Sequence, residues 1–150
     1  MSYNDLRKGR SSESGREYLV TWVTQDRKPV LHDFRAARLL VQALRQSEAE
    51  GACRWLAWVV LPDHFHGLLR MQASGTGLSE VVAQIKGRSA RAIGAHRETR
   101  GHIWQPGFHD HALRAEEQRI AVARYIVANP LRAGLVTRLG DYPHWDSIWL

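Results

Sequence analysis

A chain of 150 residues, 44% hydrophobic and 24% charged, is sized for one compact domain with enough apolar mass for a core. No apolar run approaches the roughly 20 residues a membrane span needs. The single cysteine, Cys53, excludes an internal disulfide and any multi-cysteine zinc site.

The net charge of +6 is carried mostly by arginine, which suits bidentate contact with phosphate. A strongly basic domain has the electrostatic footprint of a nucleic-acid binder, although a protein kept soluble by charge has the same balance. Residues 1–16 are polar and basic and read as an N-terminal arm ahead of a single domain at 17–150, with Arg7, Lys8 and Arg10 as candidate phosphate contacts. Leu6-Arg7-Lys8-Gly9-Arg10 is followed by a polar stretch rather than the apolar one of a secretory signal, so cytoplasmic residence is the expectation.

Tyr18 to Thr24 is rich in β-branched and aromatic residues and predicts a first strand. Asp33 stands where an N-cap belongs. Phe34, Ala37, Leu40, Val41 and Leu44 follow at helical spacing, and Gly51 is the stop. Cys53 to Leu61 predicts a second strand, Pro62-Asp63 a turn, and His64 to Met71 a third strand. Leu78, Val81, Val82, Ile85, Ser89 and Ala92 share one face of a second helix, whose other side carries Lys86, Arg88, Arg91 and Arg97. That basic side is either a solvated face or a phosphate-binding one.

Phe108 to Arg114 alternates as a fourth strand would. A third helix opens at Glu116, and Pro130 ends it near Asn129. Tyr142, Trp145 and Trp149 in the tail are expected to pack back on the body. The order β-α-β-β-α-β-α predicts a ferredoxin-like α+β fold: a four-stranded antiparallel sheet with helices on one face, plus an extra C-terminal helix and tail. The first and third strands take the centre.

Two features bear chemistry. His64 and His66 flank one apolar residue in a strand, so their imidazoles share a face, roughly 7 Å apart at Cα. Such a pair is either a pair of metal ligands or two hydrogen-bonded surface histidines. Tyr125 and Asn129 are four apart on a helix, so a phenol and an amide oxygen share a face; an ordinary packed tyrosine and a helix-ending asparagine fit the same spacing. If this face meets the histidine strand, Tyr125 becomes a nucleophile and Asn129 a third ligand.

His64-Phe65-His66, framed by Leu61-Pro62-Asp63 and Leu68-Leu69, resembles the His-hydrophobe-His motif of single-tyrosine HUH transposases of the insertion-sequence-200 type. The run from Arg124 to Val136, Arg-Tyr-Ile-Val-Ala-Asn-Pro-Leu-Arg-Ala-Gly-Leu-Val, resembles their tyrosine helix, most closely in the REP-associated branch. Trp104-Gln105 and Phe108 to Arg114 resemble that branch too. Gly67 departs from the pattern, where a bulky apolar residue is usual, and leaves the local packing to be explained.

The resemblance implies an RRM-like fold and cleavage of single-stranded DNA beside a hairpin. In that reading His64, His66 and Asn129 hold Mg²⁺ or Mn²⁺, and Tyr125 forms a 5′-phosphotyrosine link. Lys86, Arg88, Arg91, Arg114 and Arg132, with the arm, are the expected strand contacts. Asp63, Asp110 and His111 are candidate groups around the ligands, and His109/His111 is a rival pair. No organic cofactor and no membrane are expected. A monomer at the nucleoid is favoured over a homodimer. Two alternatives use the same residues: a zinc hydrolase built on the histidine pair with water as nucleophile, and a hairpin-binding module without catalysis.

Overall fold

The computed structural model describes residues 15–114 and 116–150, and the side chains of residues 116 and 117 are outside that description. Arg7, Lys8 and Arg10 lie outside the described residues. The elements are β1 (Glu17–Val23), α1 (Phe34–Ala49), β2 (Cys53–Leu61), β3 (His64–Met71), α2 (Leu78–Arg97), β4 (His109–Ala112), α3 (Glu116–Val127), a four-residue α4 (Asn129–Arg132) and β5 (Trp145–Ser147). The sheet order is β4-β1-β3-β2-β5, antiparallel throughout, with β1 and β3 inside it as expected. The expected four strands gain a fifth, because the tail returns to pair Trp145 with Val59 and Ser147 with Ala57 along β2. Just before β1, the backbone of residues 15 and 16 is tied to the end of β3: Gly15 N–H donates to the Met71 carbonyl at 2.8 Å, and Met71 N–H to the Arg16 carbonyl at 2.9 Å.

Both faces of the sheet are covered. α1 and α2 lie on one face, over a core of Tyr18, Val20, Trp22, Trp55, Phe65 and Leu69. The C-terminal helix α3 takes the opposite face, where Ala123, Ile126 and Val127 pack on Leu56, Ala57, Val59, Leu61 and Leu68. Tyr142, Trp145 and Trp149 of the tail close over that smaller cluster.

Local signals hold up at the caps. Asp33 Oδ1 accepts from Arg35 N–H at 3.0 Å and Ala36 N–H at 3.3 Å, satisfying donors the helix itself cannot. Gly51 follows the end of α1 at φ +77°, a conformation that favours glycine. Phe34, assigned to the core side of α1 by its spacing, is instead 61% exposed. In α2 it is Ile93, not Ala92, that completes the buried stripe.

Gly67 has a packing reason. A Cβ there would sit 2.5 Å from Trp55 Cζ3 and 2.7 Å from Phe65 Cζ. Phe65 stacks on Trp22 at 4.2 Å between centroids and meets Trp55 edge-on at 5.4 Å. The usual side chain is absent because aromatic rings fill its space.

Candidate active site

Strand alternation splits β3 between the faces. Phe65, Gly67, Leu69 and Met71 face the aromatic core, so His64, His66, Leu68 and Arg70 face α3. The pairing register sets their neighbours: Thr21 and Val59 flank His66, Val23 and Leu61 flank His64, and Glu17 lies opposite Arg70. The two imidazole centroids are 4.8 Å apart with ring planes at 90°.

Each imidazole is oriented through Nδ1. Asp63, in the β2–β3 turn, brings Oδ1 within 2.7 Å of His64 Nδ1 and takes a hydrogen bond from Arg27 Nε on Oδ2 at 3.2 Å. Burial raises the Asp63 carboxyl, but the hydrogen bonds and charges of His64 and Arg27 outweigh it and hold the group ionised below its usual range. A carboxylate on Nδ1–H fixes the tautomer that leaves the Nε2 lone pair free for a metal. Thr21 Oγ1 lies 2.7 Å from His66 Nδ1; with Nδ1 as the donor, Nε2 of His66 is freed in the same way. Burial first, then the charges of His64 and Arg132, lowers the His66 pKa to about 4. His66 is therefore neutral at physiological pH, as a ligand must be.

The third helix is brought to this face by an ion triad. Glu17, only 8% exposed, accepts from Arg70 Nη2 at 2.9 Å on one oxygen and from Arg119 Nε at 3.0 Å on the other. This fastens α3 at the level of Arg70. The charge of Arg132, in α4, is felt at His66.

Asn129 Nδ2 donates to the Ile126 carbonyl at 3.2 Å, which leaves Oδ1 as the end of the carboxamide suited to a cation. Tyr125 is 61% exposed. Its ring carries the Arg132 guanidinium 3.8 Å from the centroid, and Arg132 Nη2 donates to the Tyr125 carbonyl at 2.6 Å.

Other expected members lie elsewhere. Lys86, Arg88 and Arg91 sit on α2, across the sheet from the histidines. Lys86 donates to the carbonyls of Gln105 and Gly107, tying down the loop before β4, and Arg88 pairs with Glu50 at 2.7 Å. Asp110 pairs with Val20 and so faces the aromatic core, which removes it as an orienting group for the imidazoles. His111 shares the histidine face but stands in the row of Leu19, while His109 stands in the row of Thr21 and His66. Arg114 is exposed between β4 and α3.

Thr21, Glu17 and Arg119 were not legible as site residues. Their roles depend on pairing register and helix docking, which no local pattern carries. Among the described residues, no group of three or more His, Cys, Asp or Glu is arranged to hold a metal. Two imidazoles with free Nε2 atoms and a carboxamide oxygen would, where they converge, make the mixed nitrogen and oxygen donor set that suits Mg²⁺ or Mn²⁺. No helix among the described residues is long and apolar enough to cross a membrane.

Residues 12–129 match the family model described as Transposase IS200 like. A REP-associated tyrosine transposase of Escherichia coli K12 is 33% identical over 87 residues, covering 58% of this chain and 50% of that protein, so the match spans half of the relative's length. A candidate REP-associated tyrosine transposase of Haemophilus influenzae is 26% identical over 145 residues, covering 90% of this chain and 81% of that one. Among solved structures, a REP-associated tyrosine transposase bound to a REP hairpin superposes with a TM-score of 0.76 at 26% identity, over 89% of this chain and 78% of that one. A candidate transposase from Deinococcus radiodurans superposes at 0.54 and 28% identity, over 73% and 87%.

Proposed function

The chain belongs to the IS200-like transposase family, and from that premise we propose that it cuts and rejoins single-stranded DNA beside a hairpin through a covalent link to Tyr125. The hairpin partner is carried over from the REP-associated relative bound to one. The supporting observation is the shared face: paired imidazoles on β3, with the Tyr125–Arg132 pair and Asn129 docked over the same side of the sheet.

In this reading Tyr125 Oη attacks phosphorus. The new bond joins the phenolic oxygen to phosphorus and the bond to O3′ breaks; the phenol's proton passes to solvent, and the departing O3′ takes up a proton from solvent to leave as a free 3′-hydroxyl. One phosphodiester is exchanged for another, so a 3′-hydroxyl can reverse the step without an outside energy source. Arg132, over the phenol, lies where it can offset charge on the phosphate. His64 Nε2, His66 Nε2 and Asn129 Oδ1 are the atoms that would hold Mg²⁺ or Mn²⁺, which when bound polarises the phosphoryl oxygens. In this reading the protein acts as a monomer, at the nucleoid where such strands are exposed.

Incubating a labelled strand carrying a hairpin with the protein and Mg²⁺ or Mn²⁺ should give a protein–DNA adduct that survives denaturing electrophoresis. Release of product without any adduct, at a rate indifferent to Tyr125→Phe, would favour hydrolysis by water instead.

A further inference from the structure

Between α3 and α4 the helical hydrogen bonds break, and Pro130, buried at the start of α4, is the reason. A proline has no N–H to give, and its ring collides with the carbonyl four residues back, here that of Ile126. The ladder is intact on both sides of the break: Ala128 N–H donates to the Arg124 carbonyl at 3.1 Å, and Ala133 N–H to the Asn129 carbonyl at 2.9 Å. In an unbroken helix the N–H groups of residues 129 and 130 would go to the carbonyls of Tyr125 and Ile126. Here side chains take both carbonyls. Asn129 Nδ2 donates to Ile126 at 3.2 Å, and Arg132 Nη2 to Tyr125 at 2.6 Å. These are two of the side chains on which the proposed reaction depends. Only the NH2 end of a carboxamide can donate to a carbonyl, so the first bond decides which end of Asn129 faces outward. The second accompanies an Arg132 guanidinium 3.8 Å from the centre of the Tyr125 ring.

We propose that Pro130 is a positioning residue for the DNA-cleaving reaction: by withholding a backbone N–H it leaves the Ile126 and Tyr125 carbonyls to Asn129 and Arg132, which turns the amide oxygen outward and holds the guanidinium over the nucleophile. An asparagine that only ends a helix needs neither end of its amide kept clear. This one gives its NH2 end to the break and keeps its oxygen, the end that a hard cation takes. The proposal rests on the DNA-cleaving reading above, and the two can fail separately.

The test uses full-length protein carrying Pro130→Ala or, separately, Pro130→Val. Both restore the N–H, and valine also keeps most of the ring's volume. In nitrogen-15 spectra of the metal-free protein, each variant gains a backbone amide at residue 130, which the Ile126 carbonyl should protect from exchange. The side-chain NH2 pair of Asn129, identified by its absence in Asn129→Ala, should lose the protection it has in the parent. The Mn²⁺ concentration giving half-maximal adduct formation should rise about 10–100-fold, the usual cost of parting a metal ligand from its orienting partner. A carbonyl has two lone pairs and can accept from both groups at once. Asn129 protection or Mn²⁺ dependence that is unchanged in both variants therefore overturns the proposal. So does a loss confined to Pro130→Ala, which traces the effect to missing volume rather than to the N–H. A parent protein that forms no adduct with any hairpin-bearing strand overturns the catalytic reading, while exchange at the Asn129 amide still decides whether Pro130 places that side chain.

Discussion

The two sides of β3 are made from eight consecutive residues and do opposite things. On one side Phe65 is fully buried, stacked on Trp22, with Gly67 kept bare so that Trp55 can close over it. On the other, His64 and His66 stay partly open, each held through Nδ1 by a polar neighbour. Alternation along a strand lets one segment carry close-packed apolar contact and oriented ligands without either compromising the other. The difference can be broken or sharpened by substitution, because odd positions should move stability and the helix face opposite the even positions should move chemistry.

The largest effect is expected at Tyr125. Tyr125→Phe removes one oxygen from a ring that is 61% exposed. Adduct formation should fall to nothing while the thermal midpoint stays within about 2 °C, because surface changes usually shift stability by less than about 0.5 kcal/mol. An adduct that persists in this variant would move the nucleophile elsewhere. Next comes Gly67→Val on the packed side, where the added atoms collide with Trp55 and Phe65. Overpacking of this kind costs about 1–3 kcal/mol, which urea unfolding would register as a lower midpoint. A variant as stable as the parent would mean the rings have room to give.

Thr21 tests the histidine side alone. Thr21→Val keeps the shape of the side chain but removes the oxygen 2.7 Å from His66 Nδ1. Loss of an orienting partner behind a metal ligand commonly costs 10–100-fold in metal affinity or activity. The Mn²⁺ concentration giving half-maximal adduct formation should rise by about that factor, and Thr21→Ser should restore it. Equal metal dependence in all three proteins would leave Thr21 as a packing residue only.

Thr21 also marks the limit of what the residues alone disclose. The strands, the three long helices, the Asp33 cap and the shared face of His64 and His66 follow from spacing, because those signals are local. The side of the sheet taken by α3 does not, since it depends on the distant Arg119–Glu17–Arg70 contact. Lys86 shows the converse error: a lysine on a polar helix face looks free for phosphate in a linear reading, yet it binds two loop carbonyls. Asp110 fails for a similar reason, because its face is fixed by pairing with Val20 rather than by its nearness to His109 and His111. β5 carries too few residues to announce itself, and only the vacant edge of β2 selects it.

The smallest effect sits at the rim between the two sides. Burial, with a push from the Arg38 charge, lowers the His144 pKa to about 4, against 6.5 for an ordinary imidazole. Between those values the unfolded chain binds a proton that the folded chain refuses, so stability falls as pH drops from about 6.5 towards 4 and is fully present above that window. His66 acts in the same direction. The lowered carboxyls of Asp33 and Asp63 act only below their ordinary value of 3.8, outside it. His144→Gln removes the titration but keeps an amide able to hydrogen-bond, so the urea midpoint should decline less steeply with acidification than in the parent. Identical slopes in the two proteins would mean that His144 takes up its proton alike in the folded and the unfolded chain, so that its burial sets no preference for the neutral form.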